Sequence, residues 1–140
     1  SGNAIGSDYF LFNDENPVLK DLQNDLKKIT SRYFNSDIFI EDSFFRILQG
    51  KGRVDKHMHI GIIDKLEGLN LYKNKFSLVY YLKTGDDECS EPGYLTFYEP
   101  NDQILPKPGM IILFPSDRPH SVVYNGKSDR MILSINFYSY

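Results

Sequence analysis

The sequence predicts a mainly β protein, a jelly-roll sandwich with a single covering α-helix near its start. Helical periodicity is confined to residues 16–33, and beyond residue 38 short β-branched and aromatic runs alternate with Gly, Pro and Asn turn signals. Size agrees: 140 residues, 41% of them hydrophobic, build one core rather than two ordinary domains, so residues 1–140 read as a single domain.

Taken in order, Ser1 to Gly6 read as a tag remnant, without the charged and apolar regions of a leader. From Asn16 to Tyr33, Val18, Leu19, Leu22, Leu26, Ile29 and Tyr33 recur at intervals of three and four, and Pro17 suits a first helical position. Strands are expected at Ile38 to Ile40, Ser43 to Leu48, His57 to Ile62, Phe76 to Lys83, Tyr94 to Tyr98, Met110 to Phe114, Ser121 to Tyr124 and Met131 to Tyr138. Turn residues separate them, and Asn125-Gly126 is a tight-hairpin signal. About eight strands behind one helix make a jelly roll or a barrel-like sandwich.

Composition excludes several function classes. A net charge of −3, with no basic stripe, argues against duplex nucleic acid as a partner. The longest apolar runs, Met110 to Phe114 and Ser77 to Leu82, fall far short of the ~18 residues of a membrane span, so a cytoplasmic location is expected. The single cysteine, Cys89, forms no intrachain disulfide or cysteine zinc site, and its acidic neighbours Asp86, Asp87, Glu88 and Glu91 disfavour a thiolate. Lys51, Arg53 and Lys56 read as a solvated strand edge, with a place at a pocket mouth as the second reading.

The chain has three histidines, His57, His59 and His120. Residues two apart on a strand share a face, so His57 and His59 can aim at one point, and in a closed sandwich His120 can return to meet them. Neutral imidazoles suit iron, zinc, copper or nickel. Asp55 shares their parity; Asp64 has the opposite one and could join only through a bulge or loop.

"FFRILQGKGRVDKHMH" followed by "KFSLVYYLKTGDDECSEPGYLTFYEP...LPKPGMIILFPSDRPHSVVYNGKSDRMILSINF" resembles the 2-oxoglutarate and iron(II)-dependent oxygenases, in their prolyl-hydroxylase-like and short phage-type branch. The resemblance covers Ser43 to Tyr138 and rests on the aromatic strand ending in Tyr80-Tyr81-Leu82, the strand led by Gly93, the Pro-Gly before an apolar run and Phe-Pro-Ser, and the distal His120. It implies a double-stranded β-helix, with iron(II) held by His57, His59 and His120. By the same resemblance Arg130, ten residues past His120, binds the far carboxylate of 2-oxoglutarate, with Tyr81 and Ser134 beside it. A planar guanidinium suits that role, since it grips a carboxylate with two parallel hydrogen bonds. Arg130, Ile132, Ser134 and Asn136 share one mixed face of the last strand, expected to line the pocket, while Met131, Leu133, Ile135 and Phe137 form an apolar face.

The implied reaction consumes 2-oxoglutarate and O2, releases succinate and carbon dioxide, and hydroxylates a C–H bond of a small-molecule or peptide substrate. Where the family usually has Asp or Glu as its second ligand, this chain has His59. That leaves open a working three-histidine iron site, a carboxylate supplied by Asp55, or a family member that binds metal without turnover. A cupin-like metalloenzyme that does not use 2-oxoglutarate, and a non-catalytic metal- or ligand-binding module, are the rival functions. The connection from Asp64 to Lys75, with Leu66, Gly68, Leu69, Asn70, Leu71, Tyr72 and Asn74, is the expected pocket rim.

Overall fold

The computed structural model describes residues 4–48, 52–66 and 70–140. Lys51 of the basic cluster and Gly68 and Leu69 of the expected rim lie outside them.

The helix forms where its periodicity places it, as α1 (Pro17–Phe34). The Asn16 side chain accepts the Val18 N–H at 2.9 Å, Pro17 opens the first turn, and Asn35, at φ 50°, closes the last in the left-handed region. Its buried stripe is narrower than its apolar one. Leu26 and Thr30 are buried and Leu19, Leu22 and Phe34 pack partly against the core, whereas Val18, Ile29 and Tyr33 stay exposed.

The strands are β1 (Ala4–Gly6), β2 (Ile38–Leu48), β3 (Gly52–His57), β4 (Lys75–Lys83), β5 (Pro92–Phe97), β6 (Asp102–Ile104), β7 (Ile111–Pro115), β8 (His120–Tyr124) and β9 (Arg130–Ser139). They form two antiparallel sheets, ordered β1-β2-β9-β4-β7 and β3-β8-β5-β6, packed as a double-stranded β-helix. The two runs expected at Ile38 to Ile40 and Ser43 to Leu48 are one strand with an irregularity between Ile40 and Asp42. The strand expected at His57 to Ile62 is a correction: it runs upstream, Gly52–His57, and the residues that follow leave the sheet. Ala4–Gly6, read from sequence as a remnant, pairs with Arg46 to Leu48.

The central strand β9 divides the molecule. Its face of Leu133, Ile135 and Phe137 packs with Leu78 of β4 against Phe12, Leu26 and Ile38, forming the core under α1. Its other face looks between the sheets, where Tyr81, Leu95, Phe97, Ile112 and Phe114 form a second core. Tyr80 packs against the first core and Tyr81 lies in the second, as their opposite parity requires. No described helix is long and apolar enough to cross a membrane.

Candidate metal and cosubstrate site

Between the sheets lies a cavity of about 350 Å³, lined on one wall by residues of β2, β9 and β4 and on the other by β3, β5 and β8. Strand register arranges its first wall in rows. Arg46 faces Ile132 and then Tyr81; Phe44 faces Ser134 and then Val79; Asp42 faces Asn136 and then Ser77. The histidines gather at the Asn136 end, and Arg130 stands at the other end of the same strand face.

His57 and His120 are register partners across β3 and β8. His59 lies beyond the strand, yet its backbone N–H donates to the Ser116 carbonyl at 2.8 Å and carries the ring back to the pair. His57 Nε2 and His120 Nε2 each lie 3.1 Å from His59 Nε2, so the three inward nitrogens converge on one point. His57 Nδ1 lies 2.7 Å from the Asp55 carbonyl and His120 Nδ1 3.0 Å from the Arg118 carbonyl. A carbonyl only accepts, so both rings carry their proton outward and leave Nε2 free as a donor to a cation.

Burial pushes all three histidines down. His59, whose ring also faces the other two, falls to about 3; His120 falls to about 4, and His57 is lowered as well. Such neutral imidazoles suit a borderline divalent metal. The unfolded chain protonates near 6.5, above the folded values, so the three contribute stability that is present above that pH and lost as pH falls toward about 4. Asp42, raised by burial, works in the opposite sense, but as one group against three. Melts of the metal-free protein should show Tm falling across this window; a flat Tm would contradict the burial argument.

At the other end Arg130 is 3% exposed. One terminal nitrogen donates to the Gly93 carbonyl at 2.8 Å, while Nε is buried without a partner. The guanidinium lies between the rings of Tyr81 and Tyr124, at 5.6 and 5.8 Å, and forms no ion pair with any described carboxylate. A buried cation in that state calls for an anion from outside, and a dicarboxylate that also reaches the histidines fits. Gly93 makes the packing possible: at φ +94°, an added Cβ would stand 2.3 Å from Arg130 Nε. The Tyr81 hydroxyl, pushed up to about 12 by burial, stays protonated and able to donate. Ser134 is buried in the row next to Tyr81, its hydroxyl donating to the Leu78 carbonyl at 2.9 Å.

The structure thus brings His57, His59 and His120 together and sets Arg130 and Tyr81 around the other end of one cavity, with Ser134 on the wall between the two ends. It places the acids elsewhere. The Asp55 carboxylate is largely exposed and pairs with Arg53 at 3.2 Å; Asp64 is buried, bonded to Tyr138, to Lys75 at 2.9 Å and to the Gly61 N–H at 2.7 Å. Lys56 lies over the Tyr98 ring at 4.5 Å. The expected rim is a second correction, since no described residue between Asp64 and Lys75 lines the cavity, whose exposed lining residues include Tyr9 and Met58. Asp64 is tied instead to Lys75 of β4 and to Tyr138 of β9.

Sequence reasoning missed Tyr124 and Asp42. Tyr124 is fully buried, donates to the Ser128 carbonyl and accepts the Asp86 N–H at 2.9 Å, fixing the turn that leads into Arg130; the hairpin expected at Asn125-Gly126 does not form, because β8 and β9 lie in different sheets. Gly85 and Gly126 leave room for its ring, and the Asn125-Gly126 signal beside an aromatic residue was the available clue.

The 2OG-Fe(II) oxygenase superfamily matches residues 45–138. No curated protein matches the sequence. Among solved structures, a viral collagen prolyl hydroxylase from Paramecium Bursaria Chlorella virus-1 superposes with TM-score 0.73 at 15% identity, over 99% of this chain and 80% of that one. A prolyl hydroxylase from Trichoplax adhaerens, in complex with a hypoxia inducible factor oxygen degradation domain peptide fragment, gives 0.71 at 17% identity, over 99% and 66%. A 2OG-Fe(II) oxygenase family oxidoreductase from Burkholderia pseudomallei gives 0.65 at 16% identity, over 87% of this chain and only 56% of its own length. At these identities the likeness is one of fold. The family match spans more than half of the chain, including all three histidines and Arg130, and the chain therefore belongs to the 2OG-Fe(II) oxygenase superfamily.

Proposed function

We propose that the chain is an iron(II)- and 2-oxoglutarate-dependent dioxygenase that hydroxylates a C–H bond of a small-molecule or peptide substrate. The observation that carries this reading is one cavity with three convergent, uncharged imidazole nitrogens at one end and a buried guanidinium without an ion-pair partner at the other. Iron(II) would be held by His57, His59 and His120. It would supply the redox chemistry by which O2 and 2-oxoglutarate become succinate, carbon dioxide and one oxygen atom inserted into the substrate C–H bond.

The chain's own residues bind, orient and exclude water. Arg130 would hold the far carboxylate of the cosubstrate through its guanidinium, with the Tyr81 hydroxyl donating beside it and Ser134 lining the wall one row nearer the histidines. Tyr81, Leu95, Val79 and Ile132 make the walls between apolar, so the reacting groups meet in a dry space. Arg46, on the same wall and 5.4 Å over the Phe44 ring, favours a substrate that carries an anionic group. The prolyl hydroxylases among the fold relatives support a peptide as one candidate substrate. A cytoplasmic setting belongs to the same reading, in keeping with a chain whose single cysteine, Cys89, is free.

The test is an anaerobic absorption spectrum of the iron(II)-loaded protein with and without 2-oxoglutarate, followed by succinate analysis after air is admitted. A visible charge-transfer band requiring both iron and 2-oxoglutarate, and succinate after oxygen, are expected. Iron binding without any effect of 2-oxoglutarate would favour a metalloenzyme of another class. A band without succinate would favour a binding module.

A further inference from the structure

His59 differs from its two neighbours in what stands behind its ring. His57 and His120 back onto main-chain carbonyls, whereas His59 Nδ1 faces the side-chain amide of Asn136, with Nδ2 at 3.5 Å. That amide is held on both sides. Its Oδ1 accepts the Ser77 hydroxyl at 2.5 Å, and its Nδ2 donates to Asp42 Oδ1 at 2.7 Å. Asp42, Asn136 and Ser77 are register partners on β2, β9 and β4, one straight row across the sheet, with Asn136 and Ser77 both buried. Ser77 also reaches the Ser116 hydroxyl at 3.2 Å, and the Ser116 carbonyl receives the His59 backbone N–H. Backbone and ring of His59 are thus tied into one hydrogen-bonded circuit.

We propose that Asn136, braced by Asp42 and Ser77, is the positioning residue that sets which ring nitrogen of His59 is free for a metal, with Asp42 as the carboxyl group acting on His59 from two hydrogen bonds away. The inference rests on the three-histidine metal reading. With Nδ2 toward the ring, Asn136 donates to His59 Nδ1, and the His59 proton sits on Nε2, shared among the clustered histidines. A cation at the cluster needs that Nε2 bare, so the proton moves to Nδ1, which then needs an acceptor. A half-turn of the amide supplies one: Oδ1 receives the His59 Nδ1–H, and Nδ2 donates to the Ser77 hydroxyl, whose own proton is free for Ser116. Asp42 then faces the Asn136 oxygen and, taking up one proton from solvent, donates it there. Burial already raises Asp42 toward the protonated form. In the observed arrangement both amide hydrogens and the oxygen of Asn136 find partners; in the turned one the oxygen accepts from His59 and Asp42 and one amide hydrogen goes to Ser77.

Cobalt(II) titrated anaerobically against a competing chelator gives the affinity without turnover. It would be measured for the wild type, for Asn136→Leu, which keeps the volume and loses the amide, and for the exchange Asp42→Asn with Asn136→Asp. In the exchanged row a carboxylate at 136 accepts from both His59 and the amide at 42. Asn136→Leu should bind cobalt roughly 10- to 100-fold more weakly. The exchange should bind at least as tightly as wild type and should keep the cobalt ligand-field spectrum. Wild-type affinity in Asn136→Leu would overturn the inference, even with a lowered Tm, because a merely structural bridge moves Tm alone. Should Asn136→Leu fail to fold, the exchange decides by itself: weakened cobalt binding in that folded variant overturns the inference. A wild type that binds no cobalt or iron would overturn the metal reading instead.

Discussion

Replacing Arg130 with alanine should weaken 2-oxoglutarate binding by about a hundredfold while iron content stays near that of the wild type. The side chain is remote from the histidine nitrogens and contacts none of their hydrogen-bond partners, so metal binding has no reason to change. What goes is the cation for the far carboxylate. A charge-assisted hydrogen-bond pair of this kind is worth on the order of 1.5 to 3 kcal/mol, or roughly ten- to a hundredfold in affinity, and burial of the guanidinium places the loss at the upper end. Arg130→Lys should recover only part, because a point charge cannot copy the planar fork. Tyr81 and Tyr124 would still flank the gap, so neither variant is expected to collapse the pocket. Anaerobic calorimetry with 2-oxoglutarate, beside metal analysis of the same samples, reads both quantities. Unchanged cosubstrate affinity would remove Arg130 from the site.

The second large effect concerns the ligand that departs from the family pattern. His59→Ala should weaken iron binding by about 100-fold or more, beyond the 10- to 100-fold typical of groups that only support a ligand. His59→Asp should restore a two-histidine, one-carboxylate site and keep or raise turnover, because a carboxylate offsets one of the two charges of the metal. The backbone bond from residue 59 to Ser116 does not depend on the side chain, so the exchanged group stays aimed at the cluster. Asp55→Ala should be nearly silent. Its carboxylate already pairs with Arg53 in solvent, and the atom of Asp55 that supports His57 is a main-chain carbonyl, which the substitution leaves in place. Iron titrations and succinate formation without prime substrate would read all three variants. Loss of iron in Asp55→Ala with retention in His59→Ala would assign the carboxylate to the metal and demote His59.

Much of this site is legible in the sequence because parity survives folding. β9 is buried on both faces, so its alternation of mixed and apolar residues identifies the cavity wall directly, with Arg130 and Ser134 on it and Leu133, Ile135 and Phe137 behind. The convergence of His120 with His57 and His59 follows from the resemblance rather than from periodicity. β3 was misplaced because it is a sheet edge: Arg53, Asp55 and Lys56 are exposed and break the alternation that marks a half-buried strand. The helix stripe reads too wide, since periodicity marks apolar residues and not which of them find a partner, and Val18 and Tyr33 find no cover. Asp42 was invisible because its role depends on strand register, which brings it opposite Asn136 from 94 residues away. The rim was misjudged for a similar reason, because Asp64 and Lys75 pair with each other across the connection and no described residue between them lines the cavity.

The pairing of β2 with β9 also sets the order in which this molecule can assemble. These two strands lie side by side in the middle of the larger sheet, although they are the second and the last of the described strands in chain order. Closing the loop between them is the costliest contact in conformational entropy, and every row of the cavity wall waits for it. A pairing over a shorter loop, such as β4 with β7 or β5 with β8, can form earlier, but none holds both ends of the site. A topology so rich in distant pairings folds on the scale of roughly milliseconds to seconds. The β2 part of the cavity wall, with Phe44 and Arg46, therefore closes over the histidine cluster and the Arg130 pocket late, as a product of that pairing.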